Sequence, residues 1–122
     1  MDSLIYTALK KLAKKRGIRA KEVLFPDNLK DDFRGLYYDD SGVKLILINQ
    51  EDNLEERIFT LAHELGHYAL HREFLTCARW TCSYQEDEGH WKTVEDEADS
   101  FARRLIFFIK KGLPMNNNPA AA

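Results

Sequence analysis

Apolar residues recur along this chain in patterns that predict a helix, a pair of strands and two further helices. Leu4, Ile5, Ala8, Leu9 and Leu12 stand at helical spacing behind Asp2 or Ser3 as a cap, and Gly17 ends the run. An irregular stretch punctuated by Phe25-Pro26-Asp27 follows. Gly35-Leu36-Tyr37-Tyr38 and Val43-Lys44-Leu45-Ile46-Leu47-Ile48 then flank Asp39-Asp40-Ser41-Gly42, a turn cluster between β-prone runs and so a hairpin. The second of these runs reads as a well-buried strand whose edge could bind an extended peptide through its main chain. Leu54, Ile58, Leu61, Leu65 and Ala69 form an apolar face at the helical period. Asn53 or Asp52 can cap that helix, with Glu55 and Glu56 well placed against its dipole. The last helix carries Val94, Ala98, Phe101, Leu105 and Phe108, and Gly112 and Pro114 stop it. Between them, Arg72 to Lys92 has no clear period and is long for a connection, which often marks a functional loop.

Composition sets the class. With 122 residues, 44% of them hydrophobic, the chain is long enough for one domain with its own core and too apolar for disorder. We expect a single domain over residues 1–115 and a flexible tail over 116–122, where Asn116-Asn117-Asn118-Pro119 and three alanines show no apolar period. The longest apolar run, Leu105 to Ile109, is far short of a bilayer span of roughly 20 residues, so no membrane insertion is expected. No basic stretch leads into an apolar one at Met1-Asp2-Ser3-Leu4, which predicts a cytoplasmic protein. In that compartment Cys77 and Cys82 are expected as reduced thiols. The net charge of −2 argues against direct nucleic-acid binding. It is unevenly spread: the basic run from Lys10 to Lys21 and the acidic one from Glu86 to Asp99 are expected as solvated surface.

Candidate chemistry sits on the third element, at His63-Glu64-Leu65-Gly66-His67. Residues four apart on a helix share a face, so two imidazoles at this spacing can bind one Zn²⁺. Glu64 leaves the helix at a different angle and is suited to activate water rather than to ligate. A bare HExxH is a weak signal, equally compatible with two polar residues on an amphipathic helix. A catalytic zinc site needs a third protein ligand and an open position. Glu95, near the start of the last helix and beside its apolar stripe, is the best candidate. Asp99, four residues on, would orient a ligand imidazole through its far nitrogen. Glu97 faces elsewhere, into solvent. His71, Glu88 and His90 are rival ligands; His71 lies about 80° round the helix from His63 and is better suited to pack or hydrogen-bond beside the site.

The segment from Phe59-Thr60-Leu61-Ala62-His63-Glu64-Leu65-Gly66-His67-Tyr68-Ala69-Leu70-His71, with Glu95-Asp96-Glu97-Ala98-Asp99-Ser100-Phe101-Ala102, resembles the ImmA/IrrE metallopeptidases. The resemblance runs from the first helix to about Leu105. It departs at Leu105-Ile106-Phe107-Phe108, where that family commonly shows a Leu-Leu-Met-Pro-like segment. It implies a compact α+β zincin-like domain: N-terminal helix, short antiparallel sheet, HExxH helix, long loop, and a C-terminal helix carrying the third ligand. It also implies a gluzincin-like zinc metalloendopeptidase, peptidase domain only, with His63, His67 and Glu95 on one Zn²⁺ and Glu64 as base. Tyr37, Tyr38, Tyr68 and His90 are candidate oxyanion donors. Some family members cleave the repressor of a mobile element or stress regulon, so the implied partner is a transcriptional regulator. The alternative is a zinc-containing module that binds a repressor without cutting it.

Overall fold

The computed structural model describes residues 1–26, 35–72, 75–78, 81–84 and 88–113, with the side chains of 75–78, 81–84 and 88–91 left aside. Its elements are α1 (Asp2–Lys15), β1 (Ile18–Val23), β2 (Gly35–Asp40), β3 (Val43–Asn49), α2 (Leu54–His71), β4 (Leu75–Ala78), β5 (Thr81–Tyr84) and α3 (Glu88–Gly112). Helices lie against a small sheet, which is the α+β class expected. No helix among the described residues is long and apolar enough to cross a membrane. The tail, the Cys77 and Cys82 thiols and the side chains of Glu88 and His90 lie outside what is described.

The sheet is mixed rather than purely antiparallel. Its order is β1-β3-β2, with β2 antiparallel to β3 and β1 parallel to it. β1 falls in the stretch that reads as irregular, because Arg19, Lys21 and Glu22 are exposed and only Ile18 is fully buried. An outer strand needs little apolar surface once its ladder partner is in place. β3 is consequently central, flanked on both sides, and has no edge to offer a peptide; the outer strands are β1 and β2. The β2–β3 hairpin turns on Ser41 and Gly42, both with positive φ (54° and 82°), the conformation that matches the twist of a two-residue hairpin.

Ile46 and Ile48 on one face of β3 join Tyr37 and Ile18 beneath Ile5, Leu9 and Ala13 of α1 and Ile58, Leu61 and Leu65 of α2. α1 begins at Asp2 without a side-chain cap, one residue earlier than an Asp2 cap requires and two earlier than a Ser3 cap does. α2 begins with a reciprocal capping box: the Asn53 side chain accepts from the Glu56 N–H, and the Glu56 side chain accepts from the Asn53 N–H. α3 starts about two turns before its apolar stripe does. That stripe drifts with the true helical period. Val94, Ala98 and Ala102 are buried, Leu105, Ile106, Ile109 and Leu113 pack against the core, and Phe108 projects outward with 71% of its surface exposed.

α2 and α3 touch closely because small residues meet at the crossing. A Cβ on Gly66 would stand 3.2 Å from the Phe101 ring and 3.3 Å from the backbone of Ala98. Gly35 lets β2 approach α2 in the same way: a Cβ there would fall 2.4 Å from Thr60 Cγ2. These two contacts let both α3 and β2 lie close against the His-bearing segment.

Candidate metal centre

α2 carries His63 and His67 one turn apart, and α3, held against Gly66, brings Glu95 to them. His63 Nε2 lies 3.1 Å from His67 Nε2 and 3.1 Å from Glu95 Oε1, while His67 Nε2 lies 3.0 Å from Glu95 Oε2. All three residues can offer one ligand atom to a common point. Asp99 Oδ1 stands 2.8 Å from His63 Nδ1, the far nitrogen, as its spacing from Glu95 predicts.

The donor set fits a small dication. A carboxylate only accepts hydrogen bonds, so the Asp99 contact puts the His63 proton on Nδ1 and turns the Nε2 lone pair towards Glu95. Nitrogen and carboxylate lone pairs at 3.0–3.1 Å repel one another unless positive charge lies between them. Three donors at about 2.0–2.1 Å from one tetrahedral ion stand about 3.3 Å apart, close to the spacing seen. The electrostatics of the protein alone agree. Burial works against charge on His63, yet the contact with Glu95, the nearby Glu64 charge and Asp99 outweigh it and raise the imidazole to about 9. Burial would lift Glu95, but the contacts with the His63 and His67 rings override it and bring the carboxyl to about 2. Burial holds His67 below its usual value. The cluster thus recruits positive charge, which a proton or a metal ion can supply.

Glu64 is buried and does not join this triangle. Burial, reinforced by Glu95 and opposed by His63, pushes its carboxyl up to about 7. Its Oε2 faces the start of β2, about where a Cβ on Gly35 would lie, 3.5 Å away.

Other expectations need correction. Glu97 is not simply solvated: its Oε1 lies 2.7 Å from Nε2 of the buried His71, and His71 Nδ1 lies 3.1 Å from His67 Nδ1. His71 therefore lies beside the site in hydrogen-bond contact rather than in the donor triangle. The Tyr37 hydroxyl donates to Asp39 Oδ2 at 2.7 Å and that of Tyr38 to Asp40 Oδ2 at 3.4 Å, so both phenols already have acceptors. Tyr68 packs edge-on against the Tyr37 ring and beneath Arg72. Arg72 also pairs with Asp39, a contact that ties the end of α2 to β2. Nothing in the sequence pattern marked Arg72 or Asp39 for this role, since their partnership depends on how a helix end meets a strand.

The IrrE N-terminal-like domain family matches residues 13–106. Metallopeptidase ImmA of Bacillus subtilis (strain 168) is 36% identical over 85 residues, covering 67% of this chain and 48% of that protein. Uncharacterized immunity region protein 2 of Bacillus phage phi105 is 44% identical over 48 residues, 39% of this chain and 30% of that one. The chain thus spans about half, or less, of the length of these curated relatives. No solved structure gives a significant match. The family match takes in the end of α1, the whole sheet, α2 and most of α3, hence every element that builds the donor triangle, and the chain belongs to the IrrE N-terminal-like family of ImmA/IrrE proteins.

Proposed function

We propose that this chain is a zinc-dependent metalloendopeptidase in which His63, His67 and Glu95 hold one Zn²⁺ and Glu64 is the general base. The observation that carries the reading is the convergence of two imidazole nitrogens and a carboxylate at 3.0–3.1 Å, with a second, buried carboxylate, Glu64, beside them. When bound, the metal supplies a Lewis acid that polarises the scissile carbonyl and acidifies water. Glu64, raised towards neutrality by burial, would accept a proton from the attacking water and return it to the leaving nitrogen. Asp99 holds the His63 ring in the orientation that points Nε2 inward. β2, an outer strand whose first residue lies against Glu64, is placed to align an extended peptide by main-chain hydrogen bonds.

The substrate we propose is a protein, a repressor or other transcriptional regulator of a phage, mobile element or stress regulon, met in the cytoplasm. The support is the identity of two relatives: one is named a metallopeptidase and the other an uncharacterized immunity region protein of a phage. The test is to incubate the chain with any transcriptional regulator found encoded beside it and to search for fragments by mass spectrometry. Wild type should cut, while Glu64→Gln and chelator-treated protein should not. An intact regulator held in a stable complex by the zinc-loaded wild type would replace hydrolysis with the binding-module alternative.

A further inference from the structure

The two histidines of the donor triangle are held from behind by different means. Asp99 reaches His63 directly. His67 is reached by a chain of two hydrogen bonds, His67 Nδ1 to His71 Nδ1 at 3.1 Å and His71 Nε2 to Glu97 Oε1 at 2.7 Å. His71 is 2% exposed, whereas 54% of the Glu97 side chain meets solvent.

The directions of these bonds follow from the exposed end inward. An ionised carboxylate only accepts, so His71 donates from Nε2 to Glu97. A neutral imidazole with its proton on Nε2 offers Nδ1 as an acceptor. The hydrogen between the two Nδ1 atoms then belongs to His67, which leaves His67 Nε2 as a lone-pair donor. That is the atom 3.0 Å from Glu95 Oε2 and 3.1 Å from His63 Nε2. We propose that Glu97 and His71 are positioning residues that fix the tautomer and ring orientation of His67, so that an exposed carboxylate on α3 acts on the metal centre through a buried imidazole. The inference rests on the metal site proposed above.

A side chain that merely fills space between α2 and α3 would be replaceable by an apolar one of similar size. A positioning role is different, because an apolar residue would remove the acceptor that His71 offers to the His67 Nδ1–H, and with it the bond that fixes the tautomer. Partners of this kind typically change metal affinity about 10- to 100-fold when removed.

The test measures Zn²⁺ affinity of the full chain by competition with a chromophoric chelator, together with proton–nitrogen NMR of the imidazole rings. His71→Leu should weaken binding about 10- to 100-fold and abolish the His67 Nδ1–H resonance. His71→Asn, whose oxygen can sit near the former Nδ1, should recover most of the affinity. Glu97→Ala, at an exposed position that does not threaten folding, should weaken binding about 10-fold and keeps the test decisive should His71→Leu not fold. The proposal is overturned if Glu97→Ala, and His71→Leu where it folds, bind zinc as tightly as wild type while Glu95→Ala does not. If wild type itself binds no zinc, the metal-site reading fails first and this inference falls with it.

Discussion

Two polar clusters lie along α2, and they differ in how their donors and acceptors are matched. At the end of the helix, the Tyr37 hydroxyl and the Arg72 guanidinium both donate to Asp39, and the same guanidinium covers the Tyr68 ring. One acceptor faces two donors, with opposite charges paired. Around His63, two imidazole nitrogens and a carboxylate, acceptors in their neutral and ionised forms, are pressed to 3.0–3.1 Å. A cluster that only holds a fold closes on itself. One that gathers acceptors needs positive charge between them, from a proton or a metal ion, which is the arrangement the proposed zinc site would use.

The largest expected effect tests that difference at its centre. Glu95→Ala, or removal of metal by chelator, should abolish peptide hydrolysis, and the thermal midpoint should cease to rise with added zinc. Next, Glu64→Gln should lower the hydrolysis rate about 10²- to 10⁴-fold while leaving zinc content unchanged, as measured by turnover and elemental analysis on one preparation. A bulky residue at the helix crossing should harm both clusters' frame: Gly66→Leu should cost about 1–3 kcal/mol in urea unfolding and weaken zinc binding, because Phe101 and Ala98 leave no room and α3 must move away with Glu95.

The smallest effect belongs to the closed cluster. Burial would lift the Asp39 carboxyl, but its bonds from Arg72 and Tyr37 prevail and hold it below the ordinary value. A carboxyl depressed on folding adds stability that is present above its unfolded value of about 3.9 and is lost as pH falls through the folded one. Asp39→Asn should therefore cost about 1 kcal/mol at neutral pH, discounted for the half-exposed Arg72. The gap to wild type should narrow as the solution is acidified below that value, and zinc affinity should not change.

Legibility in the sequence followed how local each feature is. The His63–His67 pair lies within one helical turn, and Glu95 and Asp99 within another, so spacing alone brought each pair to one face. The β2–β3 hairpin was equally plain because Ser41-Gly42 is a turn signal between apolar runs. β1 was not, since its partner is the non-adjacent β3 and its own residues are mostly polar. The Glu97–His71 contact also escaped, because it depends on the phase of α3 against α2 and not on either helix alone. Phe108 shows the same limit: a stripe traced by integer steps drifts off the true face within a few turns.

Zinc stoichiometry of the purified chain and of its Glu95→Ala variant, measured by elemental analysis after dialysis, bears most directly on the acceptor cluster around His63. One zinc per wild-type chain, and none in the variant, is the predicted result. Equal zinc in both, or none in wild type under zinc-replete conditions, would contradict it.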